Sequence, residues 1–105
     1  MKLPTLALPL AALTPAAFAL TFKYRANSVE KSVTVGPWLC GTFNGEKANA
    51  ANFRLAVNTG GPYRVDFFES SDCTGTVVQS YREPADTSNP YLDFDPPVAS
   101  FYYDA

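Results

Sequence analysis

The chain has 105 residues, no histidine, two cysteines, and 8 basic against 10 acidic side chains. Without histidine there is no Ser-His-Asp or Cys-His nucleophile system, no zincin motif and no His-ligated metal. Without excess positive charge there is little to grip a nucleic acid backbone. Aromatics at 14% and charged residues at only 17% set the chain apart from disordered sequences.

The first nineteen residues carry the three parts of a secretory signal. Lys2 is a positive n-region, residues 3–13 are an apolar h-region, and Ala17-Phe18-Ala19 supplies the small residues that signal peptidase needs. Pro4, Pro9 and Pro15 oppose a buried helix. Thr21, Lys23 and Arg25 follow too soon for a membrane span, which needs about twenty apolar residues. The expectation is a signal peptide over residues 1–19 and one secreted, extracellular β domain over residues 20–105, without a membrane anchor. In that oxidising compartment Cys40 and Cys73 are expected to form a disulfide. Closing the 33 positions between them stabilises the fold by about 3 to 4 kcal/mol in the loop-entropy model.

Along the domain, Leu20, Phe22 and Tyr24 alternate with Thr21, Lys23 and Arg25, the period of a half-buried strand. Residues 26–32 read as a polar loop, and Val33 and Val35 open a short second strand that residues 38–43 continue beyond Gly36-Pro37. Trp38, two residues before Cys40, is expected to pack on the disulfide in the core. Asn44-Gly45 signals a tight turn, because both residues accept positive φ at low cost. Residues 47–52 allow one helical turn. Phe53, Leu55 and Val57 are expected to share a buried face, and Thr59-Gly60-Gly61-Pro62 to close a hairpin with the alternating run at residues 63–67. A turn over residues 70–75 leads to a strand at residues 76–81, and residues 82–90 form the longest loop. A brief strand at residues 91–94 is expected to stop at Asp95-Pro96-Pro97, since proline cannot donate to a ladder. Residues 98–103 close the chain. The pattern is all-β: a small antiparallel β-sandwich or partly open barrel of about six strands with one disulfide.

No cofactor is expected. Asp93 and Asp95 flank Phe94 and share a face on a strand, yet nothing in their spacing builds a catalytic cleft or a calcium loop, and the protein reads as no enzyme. Tyr91, Phe94, Tyr102 and Tyr103 crowd the C-terminal end beside acidic residues, and they are the candidate binding surface. The dispersed lysines and arginines read as solvated faces.

Two resemblances follow from these residues. Phe68 and Gly75, an aromatic followed seven positions later by glycine, resemble the βγ-crystallin Greek-key turn, which implies calcium binding as an alternative function. The short leader over residues 1–19, the single cysteine pair and the dense β-forming aromatics resemble small secreted fungal effector candidates, in outline the two-cysteine β-sandwich type of plant-pathogenic fungi. That resemblance implies a monomeric, non-enzymatic interaction protein whose partner is a host or competitor protein or glycan. A secreted toxin or antimicrobial protein is the other alternative, opposed by the net charge of −2, which gives no attraction to anionic lipid.

Overall fold

The computed structural model describes residues 18–58 and 60–105. The expected leader therefore lies, apart from Phe18 and Ala19, outside the described residues. Eight strands follow one another: β1 Leu20–Ala26, β2 Val29–Val35, β3 Cys40–Thr42, β4 Ala48–Val57, β5 Tyr63–Phe68, β6 Val77–Glu83, β7 Tyr91–Val98 and β8 Ser100–Asp104. They form two open antiparallel sheets of four strands, sheet I in the order β2-β1-β4-β7 and sheet II in the order β3-β8-β5-β6. No helix occurs among the described residues. The all-β class and the two-layer architecture read from the sequence are present, with open sheets and no closed barrel.

Aromatic rings from both sheets fill the space between them. Phe22 of β1 stacks on Phe53 of β4 with ring centroids 4.6 Å apart and meets Phe101 of β8 edge to face at 5.1 Å. Phe53 stacks on Tyr81 of β6 at 4.1 Å, and Phe67 of β5 packs on Phe94 of β7 at 4.6 Å. Offset and edge-on contacts of this kind add to the burial of large apolar rings and hold the two layers in register. Gly41 in β3 marks the closest approach, because a Cβ there would lie 2.4 Å from the Phe101 ring.

Several local expectations are corrected. The stretch read as a polar loop at residues 26–32 is a two-residue hairpin turn: Asn27 and Ser28 both take positive φ, and β2 starts at Val29. The right-handed twist of the flanking strands selects such a turn. Asn44-Gly45 makes a second turn with both φ values positive, closed by the Phe43 and Glu46 bridge as its sequence indicates. The helical turn at residues 47–52 is instead the start of β4, where pairing with β1 and β7 outweighs the helix preference of alanine. The hairpin expected across residues 59–62 does not form, since β4 belongs to sheet I and β5 to sheet II. Alternation reveals a strand but not its partner.

The buried face expected of β4 breaks at a bulge. Thr21 pairs with Val57 and Lys23 with Asn52, so β4 advances five residues while β1 advances two. The extra residues shift the side-chain phase. Phe53 stays inside at 3% exposure, whereas Leu55 at 76% and Val57 at 62% turn outward. In β7 the prolines do not stop the strand. It runs on through Pro96 and Pro97 to Val98 because it is an edge strand and both prolines fall in the irregularity between the Ala50–Asp93 and Ala48–Val98 pairs, where no ladder bond is required of them.

Cys40 and Cys73 are bridged, with Cα atoms 6.0 Å apart. The bond ties β3, at one edge of sheet II, to the loop between β5 and β6. Trp38 does not cover it: the indole is 53% exposed, and the residue's N–H donates to the Tyr103 carbonyl at 2.7 Å.

Candidate binding face

The four rings predicted to form one surface are split between three environments. Phe94 and Tyr103 point between the sheets and are 5% and 1% exposed, which removes both from any surface. The Tyr103 hydroxyl donates to the Phe18 carbonyl at 2.8 Å and receives the Asn58 amide, and burial raises its pKa. Tyr102 alternates with these inward rings and lies, half-buried, on the outer face of sheet II, directly between Cys40 and Asp66. Tyr91 lies on the outer face of sheet I and is exposed. The reason is period two: neighbours on a strand face opposite ways, so Tyr102 and Tyr103 can never share a face.

The outer face of sheet II is covered at one end. The loop over residues 69–76 folds back onto it, pinned by the disulfide. Ser100 lies beneath with no exposure, its hydroxyl donating to the Ser70 carbonyl at 2.6 Å and accepting the Cys73 N–H at 2.9 Å. Within the loop, the Asp72 carboxylate accepts the Thr74 hydroxyl at 2.6 Å, and that bond, with help from Ser70, lowers its pKa. Phe68 is buried and Gly75 takes φ +88°. Among the described residues no three cysteine or acidic side chains converge as metal ligands. Beyond the loop, Arg64 bridges Asp66 at 3.2 Å and Asp104 at 2.8 Å, and Ser80 donates to Asp66 at 2.6 Å. The polar groups there are already satisfied by one another.

Sheet I presents three open rows, read from its register. One runs Thr34, Thr21, Val57, with the two threonine hydroxyls 2.8 Å apart. The next runs Ser32, Lys23, Asn52, Tyr91, and the third runs Glu30, Arg25, Ala50, Asp93. Opposite residues share a face, so each row stands side by side on the solvent side. Among the described residues no loop crosses these rows in the way residues 69–76 cross sheet II. Over Ala50, the smallest side chain of its row, a depression of about 90 Å³ lies between Arg25, Asn52, Tyr91 and Asp93. Arg54 joins this end of the face, where its interaction with the Tyr91 hydroxyl raises the guanidinium pKa further. The face thus combines one exposed ring with donors and acceptors of both charges.

A second concavity, about 390 Å³, sits at one end of the sandwich between Asn58, Pro62, Tyr63 and Pro84, with Glu83 on its wall. Glu83 accepts the Tyr81 hydroxyl at 2.9 Å and that of Thr87, so both of its oxygens are engaged. Burial raises the pKa of Tyr63 and of Tyr81, Glu83 adding to both. Asp93 and Asp95, exposed on β7, border different depressions and do not converge on one.

Of the predicted surface residues, Tyr91 alone stands on the open face. Lys23, Arg25, Asn52 and Asp93 were missed as its companions, although the alternation of β1 already turned Lys23 and Arg25 outward. The signal lacking was the bulge and register that bring β4 and β7 beside them. These features define a small all-β sandwich, closed by one disulfide and open on one outer face. No family model, curated protein or solved structure matches the chain.

Proposed function

We propose that the protein is a secreted, non-enzymatic interaction protein of the effector kind, and that it engages a host or competitor protein or glycan through the outer face of sheet I. The observation that carries this reading is the uncovered set of rows holding Tyr91 beside Asn52, Lys23, Arg25 and Asp93. An exposed ring supplies apolar contact area at little rotamer cost, and the surrounding amide and charges fix orientation. The disulfide is the form in which cysteines persist in an oxidising, extracellular compartment, and it keeps a small domain rigid.

The test is a binding screen of the protein recovered from culture medium against a glycan array and a panel of apoplastic and microbial secreted proteins. Any ligand found is then titrated against Tyr91→Ala and Asp93→Lys. Loss of binding by tenfold or more in both variants, with an unchanged fold, supports this face as the site. Undiminished binding by both places the site elsewhere.

A further inference from the structure

The two sheets have four edges, and three are shortened, interrupted by a register shift or occupied at one end. β7 carries Pro96 and Pro97. β3 is three residues long and held by the disulfide. β6 is closed at its end by Asp86, whose carboxylate accepts the Arg82 N–H at 2.9 Å and whose own N–H donates to the Arg82 carbonyl at 2.8 Å. Short strands, proline and covering loops are the usual means of blunting an edge.

The fourth edge, β2, has none of these. Its seven residues contain no proline, and its register against β1 runs without a shift from Ala26 and Val29 to Leu20 and Val35. In a two-residue hairpin the closing pair exchanges both backbone bonds, and exchange then recurs at every second residue. Val29, Lys31, Val33 and Val35 therefore bond to β1, and Glu30, Ser32 and Thr34 direct their N–H and C=O groups away from it. Among the described residues none of these six groups meets a protein partner. Lys31, opposite Tyr24, is held in an ion pair with Glu46 at 2.6 Å.

We propose that β2 is a pairing edge and that its occupant is the β2 of a second copy of this chain, antiparallel about a two-fold axis through Ser32. This replaces the monomer expected from the sequence. It rests on edge geometry and is independent of the ligand-binding reading above. The register follows from charge and length. With Ser32 opposite Ser32, all seven residues overlap, Glu30 faces Thr34 and Lys31 faces Val33, so no like charges oppose. Moving the axis to Lys31 or Glu30 sets two identical charges face to face, which is unfavourable. Moving it to Val33 shortens the overlap. In the central register the free groups of Glu30, Ser32 and Thr34 all find partners, six bonds in total across the axis. Because both copies use the same edge about a two-fold axis, this pairing closes as a dimer. It joins the two sheets I into one eight-stranded sheet with a Tyr91 near each end.

The experiment measures mass by sedimentation of the intact protein from micromolar to millimolar concentration, together with cysteine trapping. The weight-average mass is expected to rise toward twice the monomer value, and Ser32→Pro, which removes an outward N–H and no bond to β1, is expected to hold it at the monomer value. Opposed residues in a bonded antiparallel pair have Cα atoms about 5.5 Å apart, within disulfide reach. Ser32→Cys is therefore expected to cross-link with itself under mild oxidation. Glu30→Cys is expected to cross-link only when mixed with Thr34→Cys. A mass that stays monomeric at every concentration, with no Ser32→Cys cross-link, overturns the proposal. Self-linking of Glu30→Cys in preference to Ser32→Cys overturns the register. If Ser32→Pro fails to fold, the trapping pattern alone decides.

Discussion

The two outer faces of this sandwich are made from the same kind of strand and end in opposite states. Sheet II carries a loop stapled over one end and a closed set of ion pairs over the other, so its polar groups face one another. Among the described residues, sheet I leaves Lys23, Arg25, Asn52, Tyr91 and Asp93 on an uncovered face and one of its edges without a backbone partner. The difference teaches that the disulfide works on one side of the molecule. Its constraint falls on the loop that covers Ser100 and Phe68, and sheet I has no covalent tie among the described residues.

The strongest way to break this contrast is to remove the staple. Cys40→Ser with Cys73→Ser is expected to cost about 3 to 4 kcal/mol, read from denaturant unfolding. Native-state hydrogen exchange is expected to quicken first in residues 69–76 and later in sheet I. Uniform loss of protection across both sheets would show that the two faces are not independent.

A finer cut is Ser100→Ala, which leaves the bridge intact but strips the Ser70 carbonyl and the Cys73 N–H of their buried partner. The expected loss is about 1 to 3 kcal/mol, with a near-unchanged midpoint as the result that contradicts it.

Alkaline pH acts instead on the shared core. Tyr63, Tyr81 and Tyr103 have pKa values raised by burial above the ordinary 10.0. The folded state therefore holds these protons after the unfolded chain has released its own. Their contribution is complete below about pH 10 and declines as pH rises beyond it. Thermal unfolding followed from pH 8 to 12 is expected to show a level midpoint and then a fall, accompanied by late phenolate absorbance from Tyr63, Tyr81 and Tyr103. A midpoint that begins to fall before pH 9 would point to a different group.

The smallest effect belongs to the open face. Tyr91→Ala is expected to change stability by less than about 0.5 kcal/mol, because its ring is 54% exposed and outside the core. A larger loss would show that Tyr91 supports the sheet and is not simply presented by it.

Much of this was legible from local sequence. The alternation in Leu20–Ala26 reports its own buried side, Asn44-Gly45 specifies its turn, and two cysteines admit only one intramolecular bridge. The candidate site was legible only at Tyr91. Phe94 and Tyr103 are as aromatic as Tyr91, and chemistry alone does not say that they fill the core.

The sequence by itself determined the β class, the Asn44-Gly45 turn and the covalent staple, because each depends on a few neighbouring residues or on a unique pair. Only the tertiary structure decided which sheet β4 and β5 would join, where the bulge would turn Leu55 and Val57 outward, which outer face the loop would cover, and that β2 would pair with β1 alone among the described residues. Period two fixes that neighbours point apart. Which side becomes the inside, and which strand lies alongside, is set by burial and pairing between residues far apart in the chain.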